Sequence, residues 1–554
     1  MDSAPRPIWT LDQSTREKID NLFSSFTNST PGVALAIYHG KEVAYANGYG
    51  MSNLEHNVPI TPSSIFHIAS ISKQFTAMCI ALLQDDGVLN VDDPVQTYVP
   101  DLPTYDHPIT VRHLIHHSSG IRDQWVLLHM AGWREDDLIT EADCFELIKR
   151  QRELNFTPND QYMYSNSGYT LLAMIVKAAS GLSLREFAHQ RIFAPLGMTR
   201  THFHDDHTEI VPGRTQAYEP RDGGGYHISV PPFDVVGTTS LHTTVEDFAK
   251  WNGHFDAPSI CSADVLRVVQ SPGTFNDGRE MTYAWGLEID EWHQQRRVGH
   301  NGADHGYRSS FFRLPDLDFG IAIFANLSNV SPAQLAERVA DLVLHDQLEQ
   351  NPADGVTDGE NTTVSAIGDT TPTNLAGIYI TEARNGDPAM QLIVREHDGD
   401  AEVVMWDTAV PLPRQADGTY NFRDGFAKLW AIESQKDGTV RKLLYQHGSD
   451  HPTEFTRIAD MDGKPAIEAF AGQYYSPELD VNVQFELIPG TDTMIWKQRK
   501  LKDQSMARLG DNVFGLGSLG ASFQLIFETG EKGELTGFRF SGARIRNLRF
   551  DRHA

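Results

Sequence analysis

The stretch Phe66-His67-Ile68-Ala69-Ser70-Ile71-Ser72-Lys73-Gln74-Phe75 decides how the rest of this chain is interpreted. It runs into an apolar segment, residues 75–83, which predicts a buried helix that stops near Gly87. Residues three positions apart lie on one face of a helix, so a helix opening at Ser70 brings the Lys73 amine within reach of the Ser70 hydroxyl. A serine beside a base is the minimum for an activated nucleophile. The alternative is a solvated serine–lysine pair, because this spacing is common by chance.

Length and charge narrow the classes of function. A chain of 554 residues predicts three or four domains at ~100–200 residues each. The 74 acidic residues outnumber the 46 basic ones, giving a net charge of -28, which argues against nucleic acid and anionic membrane surfaces as partners. No apolar run approaches the ~18 residues of a membrane span, and no secretory signal is visible, so we expect a cytoplasmic protein. The three widely spaced cysteines suggest neither a disulfide framework nor a metal site.

The first 350 residues predict one α+β domain. Residues 33–38 and 42–46 indicate a β-hairpin around Gly40. The pattern is mainly helical between 110 and 260, with helices expected at 110–117, 141–151, 169–180 and 183–192, and with Thr243-Thr244-Val245-Glu246 as a capping box. Strands are expected at 283–289, 296–300, 307–314 and 319–326, followed by a helix over 332–348. Strands at both ends with helices between them predict an antiparallel sheet built from the two termini and covered by helices.

The remainder of the chain predicts two small antiparallel β-barrels. Residues 351–373 contain few apolar groups and are expected to be a linker. Residues 374–460 and 461–554 are rich in strand patterns with Gly and Asp turns. The start of the first, Leu375-Ala376-Gly377-Ile378-Tyr379, is echoed by Phe470-Ala471-Gly472-Gln473-Tyr474, which suggests a duplication. The predicted domains are therefore 1–350, 374–460 and 461–554.

Two further motifs change the interpretation of Ser70 and Lys73. Tyr164-Ser165-Asn166 stands just before a predicted helix, and His300-Asn301-Gly302 stands at the end of a predicted strand. Ser-x-x-Lys, Tyr-x-Asn and His-x-Gly in this order resemble the serine β-lactamase and penicillin-binding family, over about residues 30–345. Histidine rather than lysine in the third motif resembles the esterase, D-aminopeptidase and transesterase branch. Supporting context comes from Gly48-Tyr49-Gly50, from residues 110–120 and from residues 237–244.

The resemblance implies a role for each residue of these motifs. Ser70 is expected to attack a carbonyl and form an acyl-enzyme. Lys73 can take the serine proton only when neutral, and Tyr164 is the other candidate base or proton shuttle; the sequence does not decide between them. Asn166 is expected to hydrogen-bond Lys73 or the substrate amide, and His300 to weaken any requirement for a substrate carboxylate. The backbone N–H groups of Ser70 and Ala303 are expected to form the oxyanion hole.

Three other patterns compete with this site. His202-Phe203-His204-Asp205-Asp206-His207 offers metal ligands, but it lacks a standard metal spacing and is expected to be a solvated loop, so no metal is predicted. His113 and His117 are expected on one helix face as packing or surface residues. Residues 515–520 match the dinucleotide fingerprint literally, but no strand–helix unit surrounds them, so no cofactor is predicted.

The three-part layout resembles D-stereospecific aminopeptidases of this family, in which a loop of the last barrel reaches the active site. Residues 509–515 are the candidate loop, with Asp511 as the candidate partner of a substrate ammonium; an ordinary hairpin turn is the alternative. The expected function is a serine hydrolase acting on short peptides or amides with an amino-terminal D-residue. The alternatives are an esterase or acyl transferase with the same site, and a non-catalytic sensor. A homodimer is one option for the oligomeric state.

Overall fold

The structure is a computed structural model that describes residues 11–221, 223–349, 374–381, 391–397, 400–405, 408–415, 418–422, 427–435, 437–447, 453–458, 466–490, 493–516, 523–542 and 544–553. Its contacts divide the chain into two compact units. The first comprises Met1–Gln124 and Glu135–Gly355, and the second comprises Trp125–Arg134 and Val356–Ala554. The expected linker, 351–373, lies outside the described residues, and the predicted domain boundaries stay predictions. The grouping of Trp125–Arg134 with the second unit has no signal in the sequence.

The helices of the described residues range from 3 to 18 residues in length. Over the described residues they are α1 (Gln13–Leu22), α2 (Lys73–Asp85), α3 (Val111–Ile115), α4 (Gln124–Met130), α5 (Glu141–Lys149), α6 (Asn166–Ser180), α7 (Leu184–Ala188), α8 (Ala194–Leu196), α9 (Val245–His254), α10 (Ala263–Val269) and α11 (Pro332–Glu349). Within the described part of the chain, no single helix combines the length and apolar composition to cross a membrane, and one bent pair, Asn166–Ser180 with Leu184–Leu196, meets that test only when taken together.

The strands of the first unit form one main sheet and several short pairings. They are β1 (Val33–His39), β2 (Glu42–Tyr49), β3 (Met51–Asn53), β4 (Val58–Pro59), β5 (Phe66–His67), β6 (Ile139–Thr140), β7 (His202–Phe203), β8 (Tyr218–Pro220), β9 (Tyr226–Ile228), β10 (Phe233–Asp234), β11 (Leu241–Thr243), β12 (Glu288–Trp292), β13 (Gln295–Asp304), β14 (Tyr307–Leu314) and β15 (Phe319–Ala325).

The main sheet joins the two ends of the first unit. It is antiparallel in the order β12-β13-β14-β15-β1-β2, and β1 pairs with β15 from Val33 opposite Ala325 to His39 opposite Phe319. Successive side chains of a strand point to opposite faces. Ala34, Ala36 and Tyr38 therefore pack against the helical core around α2 and α9, whereas Val33, Leu35 and Ile37 pack with residues of α1 and α11. The predicted sheet built from both termini and covered by helices is confirmed.

Three local predictions were wrong, each for a steric or hydrogen-bonding reason. The strand expected from 283 begins only at Glu288, because Gly286 has φ +72 and passes so close to α2 that a β-carbon there would lie 2.5 Å from Gln74 N. Helix α9 is capped by Thr244, whose hydroxyl accepts from Asp247 N, rather than by Thr243. Helix α3 ends at Ile115, so His117, with φ +55, does not share a helix face with His113.

The second unit contains two antiparallel β structures. The first is an eight-stranded half-barrel in the order β19-β18-β17-β16-β23-β22-β21-β20, and the second is a closed barrel from β24 to β31. Their strands are β16 (Gly377–Ile380), β17 (Gln391–His397), β18 (Asp400–Met405), β19 (Thr408–Pro411), β20 (Tyr420–Phe422), β21 (Ala427–Ser434), β22 (Val440–His447), β23 (Thr453–Arg457), β24 (Gly472–Ser476), β25 (Val481–Leu487), β26 (Met494–Lys497), β27 (Gln504–Arg508), β28 (Val513–Leu516), β29 (Phe523–Thr529), β30 (Leu535–Gly542) and β31 (Ile545–Arg552). The predicted fold class is thereby confirmed.

Equivalent contacts in the two β structures agree with the suggested duplication. The Tyr379 hydroxyl donates to the Leu375 carbonyl at 2.8 Å, and the Tyr474 hydroxyl donates to the Phe470 carbonyl at 2.8 Å. A guanidinium from the last strand lies 6.0 Å from each tyrosine ring: Arg457 in the first and Arg552 in the second. Each residue of the second set follows its counterpart by 95 positions in the chain.

Candidate active site

Ser70 lies in a tight turn at the start of α2. A 3₁₀ turn spans Ala69–Ser72, and α2 begins only at Lys73, so Ser70 precedes the α-helix rather than opening it. Ala69 has φ +49, a conformation that is costly for a residue with a β-carbon and that often occurs at functional sites. The Ser72 hydroxyl donates to the Ala69 carbonyl at 2.5 Å and stabilises the turn.

Lys73 is fully buried, and its side-chain nitrogen faces three uncharged oxygen atoms. Nζ lies 3.0 Å from Ser70 Oγ, 2.9 Å from Asn166 Oδ1 and 2.7 Å from the Thr238 carbonyl oxygen. The predicted reach from Lys73 to Ser70 is thus present in the structure. Thr238 belongs to the 237–244 stretch, whose role the sequence did not specify, and its carbonyl is the shortest of the three contacts.

Asn166 begins α6 and has one defined amide orientation. Its Oδ1 accepts from Lys73 Nζ and from Thr238 Oγ1, the latter at 2.5 Å. Its Nδ2 donates to Asp123 Oδ2 at 2.8 Å, on the opposite side of the amide. Of the two roles expected for Asn166, the contact with Lys73 is the one that the geometry contains.

Tyr164 packs its ring against the Lys73 amine. Nζ lies 4.7 Å from the centroid of the Tyr164 ring, a distance at which a cation is attracted by the ring face. The His117 ring lies 4.2 Å from that of Tyr164, and the backbone N–H of Ser165 donates to His117 Nδ1. Tyr164 is therefore held between His117 and Lys73.

His300 is a neutral imidazole with both ring nitrogen atoms engaged. Burial, with the nearby Lys73 charge, lowers the pKa of His300 to about 3. Nδ1 donates to the Asn301 carbonyl at 2.6 Å, so Nε2 is the acceptor for the Tyr283 hydroxyl at 3.0 Å. The third motif thus presents no permanent cation. The sequence predicted Tyr283 only as part of a strand. Its contact with His300 could not be predicted, because the two residues stand seventeen positions apart and no motif contains both.

The strand that carries the third motif runs directly against the turn that carries Ser70. A β-carbon at Gly302 would lie 2.3 Å from Ser309 Oγ and 2.5 Å from the Ile68 carbonyl oxygen. The Ser309 hydroxyl itself donates to that carbonyl at 2.8 Å. Glycine at 302 is what permits this approach, and it places Ala303 on the strand beside the Ser70 turn.

Asp304 connects three segments of the site. Its Oδ2 accepts from Thr239 Oγ1 at 2.8 Å and lies 3.1 Å from His67 Nε2, while Oδ1 lies 3.1 Å from His305 Nδ1. Burial opposes ionisation, but the hydrogen bonds from His305 and His67 hold the pKa of Asp304 well below its usual range. His67 stands three residues before Ser70 and Thr239 follows Thr238, so Asp304 ties both to the third motif.

The expectation of a solvated loop at 202–207 was wrong for its first residues. His202 lies in β7, His204 is buried, and their Nε2 and Nδ1 atoms converge on Glu209 Oε2 at 4.0 and 3.4 Å. The Arg185 guanidinium already binds both oxygens of Glu209, at 2.7 and 2.8 Å. Burial lowers the pKa of both His202 and His204, so the ion pair in this cluster is the one between Arg185 and Glu209, and a metal ion would compete with Arg185 for that carboxylate.

Two predicted features fall elsewhere. Asp511 lies in the turn between β27 and β28 of the second unit, where its carbonyl accepts from Arg508 at 2.7 Å. Its expected role toward a substrate stays a prediction. The glycine-rich pattern at 515–520 begins in β28, and its residues 517–520 lie outside the described residues.

A sequence profile of the family described as Beta-lactamase matches residues 19–344. The chain belongs to the beta-lactamase family. All the motif residues of the site, Ser70, Lys73, Tyr164, Asn166, His300 and Ala303, fall inside the matched region. The predicted resemblance to β-lactamases and penicillin-binding proteins is confirmed.

Several relatives and solved structures are similar to this member of the beta-lactamase family. A D-aminopeptidase of Gluconobacter oxydans is 29% identical over 307 residues, which cover 55% of this chain and 57% of that protein. The chain therefore matches little more than half the length of that relative. An octameric penicillin-binding protein homologue from Pyrococcus abyssi has a TM-score of 0.54 at 20% identity, covering 88% of this chain and 99% of that one. A D-amino acid amidase from Ochrobactrum anthropi has a TM-score of 0.50 at 22% identity, covering 60% of this chain and all of that one. These two structures support the fold.

Proposed function

We propose that this chain is a serine hydrolase that works through an acyl-enzyme on Ser70. The observation that carries the proposal is the 3.0 Å contact between Lys73 Nζ and Ser70 Oγ inside a buried set of partners. A nucleophile within hydrogen-bond reach of a base that is itself oriented by a third group is the arrangement required for covalent catalysis. Here Asn166 and Thr238 orient the base.

The reaction begins with attack of Ser70 Oγ on the carbonyl carbon of the substrate, while a base in the site takes the serine proton. Neutral Lys73 can take this proton directly. Alternatively the phenolate form of Tyr164, whose ring lies 4.7 Å from Nζ, takes it while Lys73 stays charged. The oxyanion of the tetrahedral intermediate accepts from the backbone N–H groups of Ser70 and Ala303. The proton then passes to the leaving group, and water or another acceptor releases the acyl group from Ser70.

The proposed substrates are short peptides or amides with an amino-terminal D-residue. Support comes from the similarity to a D-aminopeptidase, which extends over 307 residues or 55% of this chain. The neutral His300, with both nitrogen atoms engaged, agrees with a substrate that has no carboxylate at this position. An esterase or acyl transferase is the second candidate, because an ester substrate can acylate Ser70 in the same site. The intact set of Ser70, Lys73, Tyr164 and His300 argues against a non-catalytic sensor.

A small substrate panel tests this proposal. Purified full-length protein is assayed with the p-nitroanilides of D-alanine and L-alanine and with p-nitrophenyl acetate, and Ser70→Ala serves as the blank. Turnover of the D-alanine anilide at a higher kcat/KM than the L-alanine anilide supports the aminopeptidase. Ester turnover without amide turnover would reject it in favour of the esterase. Turnover that persists in Ser70→Ala would contradict the serine mechanism altogether.

A further inference from the structure

The loop formed by residues 116–123 follows α3 and lies against the segment that leads into α6. Three backbone N–H groups of that segment donate to carbonyls of this 116–123 loop: Asn155 to Gly120 at 2.7 Å, Asn159 to Ser118 at 2.7 Å, and Met163 to His117 at 3.0 Å. The Ser167 hydroxyl adds a fourth contact by donating to the Arg122 carbonyl at 2.7 Å. Three donors from this segment and one from the first turn of α6 indicate that the loop determines where the second motif stands.

Asp123, the last residue of the 116–123 loop, is fully buried and contacts Asn166 twice. Its Oδ2 accepts from the Asn166 backbone N–H and from Asn166 Nδ2, both at 2.8 Å. Helix N-termini leave backbone N–H groups in need of acceptors, and the N-cap residue of α6, Ser165, supplies no side-chain cap. Asp123 therefore caps α6 from another segment of the chain, where a carboxylate also complements the helix dipole.

The second contact decides which end of the Asn166 amide faces Lys73. With Nδ2 held by Asp123, Oδ1 must face Lys73 Nζ and Thr238 Oγ1, which both donate to it. A rotated amide would place its NH₂ group against two donors and its oxygen against the Asp123 oxygen. Both changes leave buried polar atoms without partners, which is costly.

We infer that Asp123 is a positioning residue of the acylation site, which fixes the Asn166 amide so that its oxygen holds Lys73 beside Ser70. The inference rests on the proposed acyl transfer at Ser70. Asp123 acts through Asn166 and touches neither Ser70 nor Lys73 among the contacts described above. A displacement of about 1 Å at a reacting group costs on the order of 100-fold in rate, so the loss of Asp123 is expected to matter at this scale.

The test is the second-order rate at which a fluorophosphonate probe labels Ser70, because this rate needs no knowledge of the substrate. In the full-length protein, Asp123→Ala is expected to label about 100-fold more slowly than wild type. Asp123→Asn is expected to recover part of the rate, since its amide oxygen can still accept from Asn166. Ser180→Ala is the matched control: it removes a hydrogen bond at the other end of α6, where the Ser180 hydroxyl donates to the Val176 carbonyl, and it is expected to leave the rate unchanged.

A double-mutant cycle separates positioning through Asn166 from general damage. In an Asn166→Ala background, Asp123→Ala is expected to change the labelling rate less than threefold. An undiminished wild-type rate in Asp123→Ala would overturn the inference, and so would a 100-fold loss that persists in the Asn166→Ala background. If Asp123→Ala fails to fold, the cycle is run with Asp123→Asn: a loss of rate that disappears in the Asn166→Ala background supports the inference, whereas no loss, or an equal loss in both backgrounds, overturns it. Failure of wild type itself to label would contradict the proposed function instead.

Discussion

The backbone of Gly302 approaches that of Ile68 so closely that a β-carbon at 302 would lie 2.5 Å from the Ile68 carbonyl oxygen. Real β-carbons do not occupy such positions, so this approach exists only because residue 302 is glycine. Ile68 leads into the Ser70 turn, and Gly302 precedes Ala303. This contact between two distant segments of the chain thus helps to position the two backbone N–H groups proposed for the oxyanion hole.

Replacing Gly302 by alanine is expected to damage both stability and labelling. The new methyl group would meet backbone at Ile68 as well as the Ser309 hydroxyl, and such overpacking costs about 1–3 kcal/mol. The measurement is the urea midpoint together with the fluorophosphonate labelling rate. Gly510→Ala is the control, since its nearest neighbour is a valine side chain at 3.3 Å, and it is expected to cost less. Unchanged labelling in Gly302→Ala would contradict the role of this contact.

Lys73→Ala is expected to slow labelling by about 10²–10⁴-fold, the range in which a positioned proton acceptor contributes. The labelling rate is expected to fall whichever residue is the base, because Lys73 either takes the proton itself or supplies the positive charge beside Tyr164. Lys250→Ala removes an amine that binds Asp247 and Gly197 instead, and it should label at the wild-type rate. A Lys73→Ala protein that folds and labels like wild type would exclude Lys73 from the chemistry.

The neutral state of His300 predicts how the site responds to substrate charge. With its pKa lowered to about 3, His300 offers no cation to a carboxylate above pH 5. Benzylpenicillin is therefore expected to acylate Ser70 no faster than its methyl ester does, measured by mass spectrometry of the intact protein at pH 7. Acylation at least tenfold faster by benzylpenicillin, which is a carboxylate at pH 7, than by its methyl ester would show that a cationic group in the site binds the carboxylate.

Stability is expected to fall as the pH drops from 6.5 towards 4. Burial lowers the pKa of His116, His202 and His254 to about 4 and that of His300 to about 3. In the unfolded chain these groups bind protons near pH 6.5, so between these values the unfolded state holds more protons and stability rises with pH. The check is the calorimetric midpoint from pH 7 to pH 4.5.

His254→Gln provides the comparison for this pH dependence. It removes one buried imidazole whose Nδ1 accepts from Ser259 N, a contact that a glutamine oxygen can replace. The stability of the variant should fall less steeply with decreasing pH than that of wild type, because its unfolding takes up about one proton fewer. A midpoint that does not change between pH 7 and pH 4.5 would show that these histidines do not titrate as their burial implies.

The residues proposed to react are easier to find in the sequence than the residues that hold them in place. Ser70 and Lys73 share a local spacing, and Tyr164, Asn166 and His300 belong to short motifs whose order carries information. The structure places these groups around one buried amine. The strands of the main sheet could also be predicted. Each strand has an alternating or continuous run of apolar residues, and this local signal does not depend on which strand it pairs with.

The supports were not predictable because they are contacts between distant segments. Asp123 reaches Asn166 across 43 positions, and Thr238 reaches Lys73 across 165. Neither contact leaves a periodic pattern in the sequence. Gly286 is another example. The residues around it have a strand-like pattern, but Gly286 packs closely against α2 with a positive φ, and this backbone conformation interrupts the strand.

The most direct test of the account is fluorophosphonate labelling of wild type and Ser70→Ala, followed by mass spectrometry of the digested protein. We expect wild type to take up one probe per chain on the peptide that contains Ser70, and Ser70→Ala to take up none. Equal labelling of the two proteins, or a probe found on another residue of wild type, would contradict Ser70 as the nucleophile.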